Sequence, residues 1–133
     1  MQLFTDVAVQ YTDFAAYAAG DSPCFADWAR GVAGDPELLA LIGELPPVKQ
    51  QPNLVFAAAR WHGVPAPAPY GTLREGLLAD WPAIAATVRE RSTQTNEVGR
   101  LATLLPAFAQ LQSNSGGRPL ALFEVGASAG LCL

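Results

Sequence analysis

Proline stands one or two residues behind an aspartate or a serine at several points of this chain, and that pairing dictates short helices with abrupt starts. A proline at the first helical position lacks only an N–H that the helix would leave unpaired anyway, whereas inside a helix it removes a needed donor. The polar residue before it accepts from the free N–H groups of the first turn. Leu3, Val7, Tyr11, Phe14 and Ala18 recur at steps of three and four, so a first helix turns that face inward and ends at Gly20. Asp21-Ser22-Pro23 opens a second helix that carries Phe25, Trp28, Ala29 and Val32 inward until Gly34. Asp35-Pro36 opens a third through Leu38, Leu39 and Ile42, which Pro46-Pro47 stops. Pro52 begins a fourth, with Leu54, Val55, Ala58, Ala59 and His62 at helical spacing and Gly63 as its end.

Alternating prolines from Val64 to Pro69 exclude helix and central strand, so this segment is expected to run extended over the surface. Thr72 is expected to cap a helix with Leu73, Leu77 and Leu78, and Asp80-Trp81-Pro82 to open another with Ile84 and Val88. Asn96 is placed to cap a longer helix whose apolar face is Val98, Leu101, Leu105, Phe108 and Leu111. Pro106 falls within it and should kink or split it near Leu105, at a cost of about 3 kcal/mol unless packing offsets it. Ser113-Asn-Ser-Gly-Gly117 reads as a flexible joint. The recurring caps share no fixed period, so they are punctuation and not an internal repeat.

Half of the 133 residues are hydrophobic and 15% are charged, enough apolar surface for a real core and too little charge for a disordered chain. The formal charge of -4, with eight scattered Lys and Arg, opposes a nucleic-acid surface. Asp6, Gln10 and Asp13 interrupt the N-terminal apolar stretch, so no secretory signal is read there, no membrane span is expected, and the cytoplasm is the expected compartment. Cys24 and Cys132 are too few for a disulfide framework, and with His62 as the one histidine no metal site is expected.

Chemistry concentrates near the C-terminus. Leu120 to Phe123, after the Gly116-Gly117-Arg118-Pro119 breaker, read as a strand buried on both faces, as in a parallel sheet. Glu124 stands at its tip, followed by Gly126, Ala127, Ser128, Ala129 and Gly130, small residues that let a ligand approach the backbone. Three readings fit. A G-x-S-x-G nucleophile elbow would make Ser128 the nucleophile, but its histidine should follow the serine, and His62 precedes it. A cofactor loop would use Glu124, Gly126, Ala127, Ser128 and Gly130, and a plain tight turn would use none of them. Upstream, Asn96, Glu97 and Arg100 offer donors, acceptors and both charges for a polar substrate, although a cap, a helix-dipole partner and a surface ion pair explain the same three residues. His62 reads as a dipole partner at a helix end, and Trp28, Trp61 and Trp81 as core or rim aromatics.

Glu124-Val-Gly-Ala-Ser-Ala-Gly-Leu131, with Gln94-Thr-Asn-Glu-Val-Gly-Arg100, Asp21-Ser-Pro23 and Gln51-Pro-Asn-Leu54, resembles the bacterial family known as domain of unknown function 2332. The resemblance spans the chain as the N-terminal part of such a protein, and Cys132 stands where asparagine is expected in relatives. It implies that the loop is similar to the first motif of class I S-adenosylmethionine-dependent methyltransferases, with Glu124 and the glycines bordering the methionine part of the cofactor. The expected fold is therefore mainly α: a multi-helix domain over residues 1–117, then one strand and a glycine-rich loop of a truncated Rossmann-like α/β domain over 118–133. A small-molecule ligand is expected for a full-length protein, and no cofactor binding for these residues alone. The strand's missing partners predict that residues 118–133 either lie against the helices or pair between molecules. The alternative function is a helical interaction or structural module without catalysis.

Overall fold

The computed structural model describes residues 6–93 and 100–121. Two compact units divide the chain, Met1–Thr93 and Gln94–Leu133. Seven α-helices and one 3-10 turn are present among the described residues, and no strand.

In the first unit the helix starts follow the capping chemistry. Helix α1 is Val7–Ala18, with the Asp6 carboxylate accepting from the Ala8 N–H, and it buries Tyr11, Ala15 and Ala18. Its described start makes Leu3 fall outside the described residues. Helix α2, Pro23–Ala33, is capped by Ser22, whose hydroxyl accepts from the Phe25 N–H, and it ends at Gly34. Helix α3, Pro36–Gly43, starts under the Asp35 carboxylate, which accepts from the N–H groups of Glu37 and Leu38 at 3.0 and 3.3 Å. It stops at Gly43, and Pro47–Lys49 form the 3-10 turn. Gln50 is buried just beyond that turn, donating from Nε2 to the carbonyls of Leu45 and Gly43, so a side chain satisfies acceptors at the end of α3.

Helix α4, Pro52–Trp61, runs to the His62 cap, and Gly63 takes a positive φ of 97°, a conformation that suits glycine. Its buried side chains include Phe56, which sequence spacing did not single out. Phe56 is the centre of the aromatic core: the rings of Phe25, Trp28, Tyr11 and Phe14 lie 5.3, 5.5, 5.9 and 6.1 Å away, all edge-on. Edge-on contacts suit the ring quadrupole and add to the area buried. Apolar residues occur all around this part of the sequence, so periodicity could not rank Phe56 above its neighbours.

The proline-rich segment departs from the expected surface path. Val64 is buried, and Ala66 and Ala68 are partly buried against the core. An extended segment keeps its carbonyls free, and the core uses one of them: Ala68 O accepts from Trp28 Nε1 at 2.7 Å, with the Cys24 thiol 3.5 Å away. The Ala66–Pro67 peptide is cis.

Helix α5, Tyr70–Ala79, begins earlier than the Thr72 cap would place it. Pro69 holds the cap position without a side-chain bond, and the Tyr70 N–H donates to Asp27 Oδ2 of α2 at 3.0 Å. A carboxylate from another helix thus does what a local cap would do, and Thr72 lies in the first turn. Helix α6, Trp81–Glu90, follows directly and buries Trp81, Ile84, Ala85 and Val88. Helix α1 packs on α2, α4 on α6, and α5 on α2, α3 and α6. Among the described residues, the twenty buried members of the core fall between Tyr11 and Val88.

In the second unit, helix α7 is Arg100–Asn114, and Pro106 lies inside it without dividing it. The ring removes the donor for the carbonyl four residues earlier, at Ala102, and Ala102 is exposed, so water can satisfy that acceptor. Of the expected apolar face, Phe108 is half-buried, while Leu105 and Leu111 are exposed. Asn96 and Val98 lie outside the described residues. The strand expected from Leu120 to Val125 is reached only at Leu120 and Ala121, which carry no regular structure, and its remainder lies outside the described residues. A lone strand leaves both rows of backbone groups without partners, and the described residues supply no neighbouring strand.

Candidate functional site

Of the residues singled out for chemistry, Arg100 opens α7, and Asn96, Glu97, Glu124, Gly126, Ala127, Ser128 and Gly130 lie outside the described residues. No grouping among them is therefore described. The described residues instead hold two polar clusters.

The first is built on the end of α4. The backbone N–H of His62 donates to the carbonyls of Ala58 and Ala59, which fixes the residue as the cap and turns its ring toward α6. Nε2 lies 2.8 Å from Thr87 Oγ1, and Nδ1 lies 3.7 Å from Asp80 Oδ2. The second separation is too long for a good hydrogen bond and suits an ion pair once the imidazole is protonated. Asp80 can face the ring because, although it stands at the cap position of α6, its carboxylate makes no capping bond there. A cavity of about 350 Å3 opens beside this cluster, with His62, Thr72, Glu75 and Asp80 among its lining. Only the Thr87 side is within hydrogen-bond distance, so the geometry orients the imidazole without completing a proton relay to Asp80. Thr87 does not line the cavity, so the arrangement offers a ligand the acid and base groups and not the hydroxyl.

The second cluster joins α3 to α5. Tyr70 Oη donates to Asp35 Oδ2 at 2.6 Å, Arg74 Nε donates to the same oxygen at 2.7 Å, and Arg74 Nη2 reaches Glu37. The Tyr70 bond, and then Arg74 and the two backbone N–H groups, hold the Asp35 carboxyl at about 2, below its ordinary 3.8. Burial, with the Asp35 bond, pushes the Tyr70 phenol up, and the bond to Asp35 raises Arg74. Both pushes keep the cluster in one protonation state over the neutral range, which suits a clamp better than a catalyst. Sequence reading assigned Asp35 its cap and missed the clamp, because Tyr70 and Arg74 carry no local signal for a partner 35 or more residues away.

The three tryptophans take different places. Trp28 is fully buried, Trp81 is buried at the core's edge, and Trp61 is exposed with the Arg91 guanidinium 5.1 Å above its ring. Cys24 is a half-buried free thiol. Among the described residues no group of His, Cys, Asp and Glu is arranged to hold a metal ion, and no helix is long and apolar enough to cross a membrane.

Neither a curated protein nor a solved structure shows significant similarity to the chain. A family match covers residues 8–133, almost the whole sequence, and the family is described as an uncharacterized protein conserved in bacteria, DUF2332. Because that match spans far more than half of the sequence, the chain belongs to the DUF2332 family.

Proposed function

We propose that this chain is the helical N-terminal part of a methyltransferase-like protein, with S-adenosylmethionine held at the loop Glu124 to Gly130. The observation that carries the reading is the order of residues after Leu120 to Phe123: an acid at the end of an apolar run, then Gly126 and Gly130 with only small side chains between them. Domains that bind such cofactors bring the ligand to the carboxyl end of a strand, where glycines admit it to the backbone and the next helix directs N–H groups at it. Glu124 would accept from the cofactor's amino-acid end, and Asn96, Glu97 and Arg100 would face a polar substrate. In support, the described core of the first unit lies between Tyr11 and Val88, and residues 94–133 form a unit of their own.

The test is calorimetric titration of S-adenosylmethionine into the natural gene product that carries these residues. Saturable micromolar binding is expected, and Glu124→Ala and Gly126→Val should each weaken it with unchanged helical circular dichroism. Absence of binding, or affinity unaltered in both variants, would favour a helical interaction module in which the loop is only a turn.

A further inference from the structure

Gln51-Pro52-Asn53, part of a stretch already notable in the sequence, forms one wall of a second cavity of about 360 Å3, which lies entirely within the first unit. The other wall is a stripe of α1: Gln10, Asp13, Phe14 and Tyr17, at the three- and four-residue steps that share one side of a helix. The depression is shallow and open to solvent, so a ligand would rest on it with one side exposed.

The chemistry of the two walls is specific. Tyr17 is 77% exposed, with the Phe14 ring 6.4 Å away and tilted by 47°, so an aromatic face is presented to solvent beside polar groups. The carboxamides opposite are held by the backbone. Gln51 Nε2 donates to the Val48 carbonyl at 3.1 Å, which leaves Oε1 to accept, and Asn53 Oδ1 accepts from the Leu54 N–H at 3.1 Å, which leaves its NH2 to donate. Gln51, with its carbonyl oxygen unused, and Asn53, with its NH2 unused, thus line one wall, and Asp13 and Gln10 line the other. Neither lysine nor arginine lines the groove, and the Asp13 carboxylate disfavours a phosphate or carboxylate ligand.

We propose that this groove binds a neutral sugar, a pyranose ring laying its C–H face on Tyr17 while adjacent hydroxyls bond to Asn53, Gln51 and Asp13. An aromatic face has a negative π cloud that attracts polarised C–H groups, and neighbouring hydroxyls each donate and accept, as the paired carboxamides require. A cationic amine would engage Asp13 and the ring but would leave the oriented carboxamides without a role.

The experiment is a 1H–15N titration of the 133-residue chain with methyl glucoside, methyl galactoside and methyl mannoside, with tetramethylammonium as the cationic control. At least one glycoside should shift the side-chain NH2 signals of Asn53 and Gln51 saturably. Tyr17→Ala should weaken that binding roughly tenfold, whereas Tyr17→Phe should retain it. Tyr17 is exposed, so unchanged melting temperatures in both variants will separate a lost contact from a lost fold. Three silent glycosides, equal affinity in Tyr17→Ala, or saturation by tetramethylammonium alone would each overturn the proposal.

Discussion

The Tyr70 phenol donates to Asp35 Oδ2 at 2.6 Å, so the residue that starts α3 also fastens the first turn of α5. Because the Asp35 pKa falls from 3.8 to about 2 on folding, the clamp's contribution is present in full above pH 3.8 and is lost as pH falls through about 2. Urea unfolding of the wild type and Asp35→Asn should show the wild type more stable at neutral pH, with the gap narrowing as the pH is lowered across that window.

Gly31 of α2 faces the Tyr70 ring so closely that an added Cβ would fall within it. Gly31→Ala should therefore destabilise by about 1–3 kcal/mol through overpacking, although alanine favours helix. Denaturant midpoints should also show that adding Tyr70→Ala costs less in the Gly31→Ala background than in the wild type, since the clash has been removed.

Tyr11 is fully buried, burial pushes its pKa up, and its hydroxyl has no hydrogen-bond partner among the described residues. Tyr11→Phe removes a desolvated group and keeps the edge-on contact with Phe56. A gain of about 1–3 kcal/mol is expected, read as a higher melting temperature.

Residues 1–93 should unfold cooperatively on their own, since, among the described residues, every buried member of the core lies between Tyr11 and Val88. Calorimetry of this shortened chain should give a melting temperature within about 4 °C of that of the same transition in the 133-residue chain. A broad, non-cooperative transition would show that residues beyond 93 contribute to the core.

Sequence reading succeeded where structure is decided locally. Ser22 before Pro23 and Asp35 before Pro36 cap their helices through neighbouring N–H groups, and Gly63 ends α4 through its own backbone freedom. It failed where the deciding partner is remote. Thr72 lost its expected role because Asp27, on another helix, takes the Tyr70 N–H. Val64 went inward against the expectation that alternating prolines run over the surface. Pro106 stayed within α7, where an exposed turn lets water replace the bond that proline forfeits. The expected site residues from Glu124 onward lie outside the described residues, so their chemistry still rests on the sequence.

The indole N–H of Trp28, held on the Ala68 carbonyl at 2.7 Å, gives the proline-rich segment a built-in reporter. Prolines carry no amide proton, so Pro65, Pro67 and Pro69 are silent in amide exchange measurements. The Trp28 proton will exchange with solvent deuterium when that segment lifts, whether or not the helices open. Its exchange rate, set beside those of the α2 amides, therefore distinguishes undocking of residues 64–69 from global unfolding.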